Sequence, residues 1–80
     1  MGNAHDTYSP QAIGTRLREL RRAGRWSQGG LAAEMAGRNF SWHQNTVYRI
    51  ERGQRRVTLE EAAELASIFA VPLSDLGCAA

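Results

Sequence analysis

Residues 26–53 read Trp26-Ser27-Gln28-Gly29-Gly30-Leu31-Ala32-Ala33-Glu34-Met35-Ala36-Gly37-Arg38-Asn39-Phe40-Ser41-Trp42-His43-Gln44-Asn45-Thr46-Val47-Tyr48-Arg49-Ile50-Glu51-Arg52-Gly53. Two short helices and the turn between them are written there. Ser27 is an N-cap residue, with a hydroxyl placed to accept from the orphan N–H groups of a first helical turn. Leu31, Ala32, Met35 and Ala36 follow at helical spacing, and Gly37 closes the run. Gly29 and Gly30 each cost up to ~1 kcal/mol relative to alanine in a helix. This helix is therefore expected to be short and dependent on its packing. A polar and aromatic stretch, Gly37 to His43, leads to a further helix over Gln44–Arg52, with Val47 and Ile50 inward and Gly53 as its cap.

Two starts compete for that last helix. Ser41 with Gln44 forms one capping box, which would turn Gln44 back onto the chain. In the other, His43 caps and Trp42 staples onto Val47, which leaves Gln44 facing outward. The second is adopted, although histidine is a poor cap.

Further helices flank this pair. Ser9-Pro10 pairs an N-cap serine with proline at the first helical position, and Ile13, Leu17 and Leu20 form one stripe behind it. Gly24 is expected to end that helix as a left-handed residue. After the basic loop Gln54 to Val57, Thr58 and Glu61 form a capping box. Leu59, Ala62, Ala63, Ala66, Phe69 and Ala70 are read as the buried face of the helix it opens. Val71-Pro72 stops that helix, and Pro72 to Leu76 can form a short fifth one. No run alternates with period two, so no sheet is expected. The fold class is all-α, a compact bundle of four to five short helices. The domain spans residues 9–77, with tails at 1–8 and 78–80.

Eighty residues make one domain at most. The lone cysteine, Cys78, cannot form an internal disulfide, and no cysteine-rich zinc site can be assembled. Its place near the chain end, with no base beside it, also argues against a nucleophile. His5 and His43 lack a third ligand, so no metal is expected. No stretch approaches the ~20 apolar residues of a membrane span, and the N-terminus does not resemble a signal peptide. A cytoplasmic location is expected. No paired carboxylates or phosphate-binding glycine loop is visible, so an enzyme is not expected, and neither is a cofactor or a small-molecule ligand within the domain.

The net charge of +2 is a cancellation. Residues 16–56 hold all ten arginines against Glu19, Glu34 and Glu51, a balance of +7. Residues 57–80 carry −4 and residues 1–15 carry −1. A basic block beside an acidic one suits a chain that meets a polyanion with one face.

The motifs Ile13-Gly14-x-Arg16-Leu17-x-x-Leu20-Arg21, Trp26-Ser27-Gln28, Leu31-Ala32 and Thr46-Val47-x-Arg49-Ile50-Glu51-x-Gly53 occur in this order. They resemble those of the lambda-repressor and Cro-type (XRE) helix-turn-helix family. The closing Leu65-Ala66-x-x-Phe69-x-Val71-Pro72-Leu73-x-x-Leu76 matches its last two helices. The resemblance covers roughly residues 10–77. The turn between Ala36 and His43 is about five residues longer than is usual in the family and resembles that of an actinobacterial subgroup.

The resemblance implies a transcriptional regulator, repressor-like, that binds double-stranded DNA and reads it with a recognition helix at about 43–52 in the major groove. Gln44, Asn45 and Arg49 would take base-reading positions, joined by Tyr48 on the same outer face. Gln and Asn suit adenine, and Arg suits guanine. Gln28 would clamp a phosphate, helped by the backbone N–H groups at its helix start. Arg38, Arg52, Arg55 and Arg56 would touch the DNA backbone. Arg21 and Glu51 would form a structural ion pair between the first and third helices. Simpler roles compete: Asn45 as a solvated surface residue, and Arg49 and Arg52 paired with Glu51 or Glu34. Trp26 is expected in the core, and Phe40 and Trp42 over Met35 or exposed to a partner. A homodimer on a palindromic site is expected to supply affinity. The alternative function is a protein-interaction helix-turn-helix module, an antitoxin half or sigma-factor adaptor.

Overall fold

The computed structural model describes residues 9–77. Four α-helices run in order: α1 (Pro10–Ala23), α2 (Gln28–Gly37), α3 (Gln44–Glu51) and α4 (Leu59–Phe69). A single 3-10 turn, Leu73–Leu76, closes the chain, and the described residues contain no strand.

Local chemistry sets most helix starts. The Ser9 hydroxyl accepts from the Ala12 N–H at 3.2 Å, with Pro10 at the first helical position. Ser27 accepts from Gly30 at 2.8 Å. Thr58 and Glu61 exchange hydrogen bonds of 2.9 and 3.1 Å as a reciprocal box. α3 begins at Gln44 with His43 as its cap residue, so the Ser41 start is not used. The His43 N–H donates to Thr46 Oγ1 at 3.1 Å, and the Thr46 N–H donates to the His43 carbonyl at 2.9 Å.

One helix end corrects the sequence reading. Gly24 has φ −87°, and Arg25 takes the left-handed conformation at φ 62°. Glycine is required at 24 for space: a β-carbon there would stand 2.9 Å from the Trp26 ring. Gly37 is the last residue of α2, and Asn39 makes the left-handed turn at φ 74°. Asparagine tolerates that region better than most residues. Gly53 is left-handed as expected, at φ 73°.

The core is one cluster. Ile13 and Leu17 from α1 meet Leu31, Ala32 and Met35 from α2, Val47 and Ile50 from α3, and Ala62, Leu65 and Ala66 from α4. Trp42, Val57 and Leu76 complete it, and Trp26 and Phe40 pack partly buried against it. The buried stripe of α4 is narrower than expected: Leu59 is 67% exposed, and Ala63 and Ala70 also face solvent, as does Ala36 of α2. An alanine-rich helix fits several apolar registers, and only packing selects one. α3 packs against both α2 and α1. Its short length leaves one face for the core and one for solvent.

Candidate nucleic-acid interface

α3 divides its residues cleanly. Val47, Ile50 and Glu51 are buried, while Gln44, Asn45, Tyr48, Arg49 and Arg52 are exposed. Gln44, Asn45 and Tyr48 join Gln28 of α2 around a shallow open cleft. A β-carbon on Gly29 would lie 3.8 Å from Gln44 Oε1, so Gln44 stands over the first turn of α2. The Arg52 guanidinium lies over the Tyr48 ring, 5.4 Å from its centroid. Among the described residues, neither Arg49 nor Arg52 has an ion-pair partner. The two acids that could have taken them are occupied, Glu51 by Arg21 and Glu34 by Arg38.

Glu51 holds α3 in place from behind. Arg21 Nε and Nη2 donate to its two oxygens at 2.5 and 3.1 Å, and Gln28 Nε2 donates at 3.1 Å. Arg21 Nη1 also donates to the Trp26 carbonyl at 2.9 Å, tying the α1–α2 turn to the same centre. Arg18 stands farther off, at 3.7 Å. Burial pushes the Glu51 carboxyl up, but the hydrogen bonds from Arg21 and Gln28 outweigh it and hold the group below the ordinary carboxylate range. Gln28 therefore sits at the α2 start with one amide hydrogen spent on Glu51 and its remaining polar capacity at the cleft.

Two arginines expected at the DNA backbone have carboxylate partners. Arg38 donates to Glu34 at 3.2 Å and to Glu64 at 2.6 Å, joining α2 to α4. Arg55 donates through both terminal nitrogens to Glu61, each at 3.0 Å. Arg56 is exposed. Trp42 is 3% exposed and its indole donates to Glu61 at 2.8 Å. An exposed Phe40–Trp42 patch does not exist. The signal for Glu61 was its capping box; nothing local announced that the same carboxylate would meet Trp42 and Arg55. Among the described residues, no group of three or more His, Cys, Asp or Glu side chains could hold a metal ion.

A protein-family model described as a helix-turn-helix domain matches residues 12–76. The chain belongs to that helix-turn-helix family. Its fold is shared by solved DNA-binding domains. The DNA-binding domain of BldD is 35% identical with a TM-score of 0.68, over 82% of this chain and 89% of that one. The BldD DNA-binding domain of S. venezulae is 34% identical with a TM-score of 0.69, over 84% and 93%. No curated protein matches. Among the described residues no helix is long and apolar enough to cross a membrane.

Proposed function

We infer that this helix-turn-helix domain binds double-stranded DNA sequence-specifically, in the cytoplasm, as the reading module of a repressor-type transcriptional regulator. The observation that carries the reading is the outer face of α3. Asn45, Tyr48 and Arg49 are exposed there beside Gln44 and Gln28, and among the described residues Arg49 has no ion-pair partner. A helix of this width enters the major groove, where base edges offer distinct donor and acceptor patterns. Gln44 and Asn45 suit adenine, Arg49 suits guanine, and the half-exposed Tyr48 ring supplies apolar contact. Gln28, Arg52 and Arg56 face the sugar-phosphate strands. Arg38 and Arg55 have carboxylate partners, which argues against a phosphate role for them. Two copies on a palindrome supply the affinity that one short helix lacks.

Selection of sites from random duplex DNA tests the reading. A recovered consensus with symmetric half-sites supports it, and recovery of no sequence overturns it. On the selected site, neutralising ~4–6 phosphates per monomer gives log K a slope of about −4 to −5 against log salt. Arg49→Ala with unchanged affinity and base preference would remove that residue from the reading set.

A further inference from the structure

The long turn and the basic loop flank α3 on its two sides, and both end on one carboxylate. Trp42 stands two residues before α3 and Arg55 four residues after it. Glu61 lies in the first turn of α4 and is 6% exposed. Its Oε1 accepts from Arg55 Nη1 at 3.0 Å and from the Thr58 N–H at 2.9 Å. Its Oε2 accepts from Arg55 Nη2 at 3.0 Å and from Trp42 Nε1 at 2.8 Å. A carboxylate offers about four acceptor sites, and here all of them are used. The Arg55 guanidinium also lies over the Trp42 ring, 5.7 Å from its centroid.

The geometry points to a positioning role for this cluster: Glu61, through Trp42 and Arg55, fixes how α3 is presented to DNA. The inference rests on the DNA-binding reading above and adds residues that touch no base. Glu51 anchors α3 to α1 and α2, and its side-chain bonds reach neither Trp42 nor Arg55. Glu61 holds those segments against α4. The residues that lengthen the turn between α2 and α3 thereby acquire a function, since Trp42 is what the turn delivers to the carboxylate. The Phe40 N–H bonds to the Met35 carbonyl at 3.1 Å and the Trp42 N–H to the Phe40 carbonyl at 2.8 Å, so the turn's own backbone bonds lead up to Trp42. Arg55, basic and beside the reading helix, is assigned to α4 and not to the phosphates.

The two possible roles of Arg55 predict opposite signs for Glu61→Gln. If Arg55 is a phosphate ligand restrained by Glu61, releasing it leaves binding unchanged or tighter. If the cluster positions α3, releasing it weakens binding. The experiment measures Kd and its salt slope on the selected duplex for the wild-type chain, R55Q, E61Q, the double variant and R52Q. The expected result is a loss of roughly tenfold for R55Q and for E61Q, with the double variant no worse than either, as for residues acting as one unit. The salt slope stays at the wild-type value in R55Q and falls by about 0.9 in R52Q, which loses a phosphate contact. A slope that falls by about 0.9 in R55Q while E61Q binds as well as wild type overturns the proposal.

Thermal unfolding accompanies each variant. Should E61Q fail to fold, Trp42→Phe keeps the carboxylate and its arginine, removes only the indole donor, and is expected to weaken binding in the same direction. A second readout needs no DNA. Glu61 contacts none of Gln44, Asn45 and Tyr48, yet their backbone amide resonances should shift in E61Q; resonances that stay in place overturn the proposal. A wild-type chain that binds no selected duplex while those resonances shift counts against the functional reading and not against the cluster.

Discussion

Gly14 of α1 and Ile50 of α3 meet backbone to backbone. A β-carbon at Gly14 would stand 2.2 Å from the Ile50 carbonyl oxygen and 3.1 Å from the Glu51 Cα. No side chain can give way there, so α1 and α3 can lie this close only because residue 14 has none. Gly14→Ala should destabilise the domain by about 2–3 kcal/mol through overpacking. Gly37→Ala should do the reverse. That glycine is helical with nothing within 4 Å of an added β-carbon, and the change should stabilise by about 0.5–1 kcal/mol. Denaturant unfolding of the two variants checks both signs.

Arg21 and Arg18 approach the same carboxylate from unequal positions. The Arg21 side chain is 12% exposed and bonded to both Glu51 oxygens, whereas Arg18 is 46% exposed at 3.7 Å. Arg21→Met leaves a buried carboxylate short of its main partner and should cost about 3 kcal/mol. Arg18→Met should cost less than about 1 kcal/mol. Equal losses in thermal or denaturant unfolding would contradict the hub described for Glu51.

Acid should unfold this domain through its two buried glutamates. Burial pushes Glu61 up, but hydrogen bonds from Arg55, Trp42 and the Thr58 backbone outweigh it, so the net shift is downward, as at Glu51. A carboxyl whose pKa is lower folded than unfolded contributes stability that is complete above its ordinary value. That contribution is lost as pH falls through the folded one. Stability should therefore be flat near neutrality and decline below the ordinary value of 4.5. Glu51→Gln should be less stable than wild type at pH 7, with the difference shrinking below pH ~4.5. Unfolding free energies measured from pH 7 to pH 3 check this; a constant difference would show that Glu51 is not linked to folding.

Ala70 ends α4 in the left-handed conformation at φ 58°. An alanine there carries a steric cost that glycine lacks. Ala70→Gly should raise stability by about 0.5–1 kcal/mol, measured as a higher unfolding midpoint. The residue is exposed, so no packing is lost.

What was legible in the sequence was local. Ser9-Pro10, Ser27 and the Thr58–Glu61 box announce helix starts because each cap lies within three residues of the group it satisfies. Val47 and Ile50 were legible because a three-residue interval on a short helix leaves one inward face. Gly24 was misread because glycine serves both conformation and space, and a string of letters does not say which. Arg38 and Arg55 were read as DNA-backbone contacts, without their acids, because charge is visible in sequence while the neighbouring carboxylate is not. Glu64 is 26 residues from Arg38, and Glu61 is 19 from Trp42. The exposed outer face of α3 follows from helical periodicity, but its freedom from Glu34 and Glu51 depends on Arg38 and Arg21 having claimed those acids first.

The division of labour within α3 has an evolutionary consequence. Asn45, Tyr48, Arg49 and Arg52 lie outside the hydrophobic cluster and outside both carboxylate centres. Replacing them alters neither the core nor the anchors. If α3 reads DNA as proposed, descendants of this chain can exchange one operator for another by surface mutation alone, at little cost in foldedness, while the frame that aims the helix is inherited unchanged.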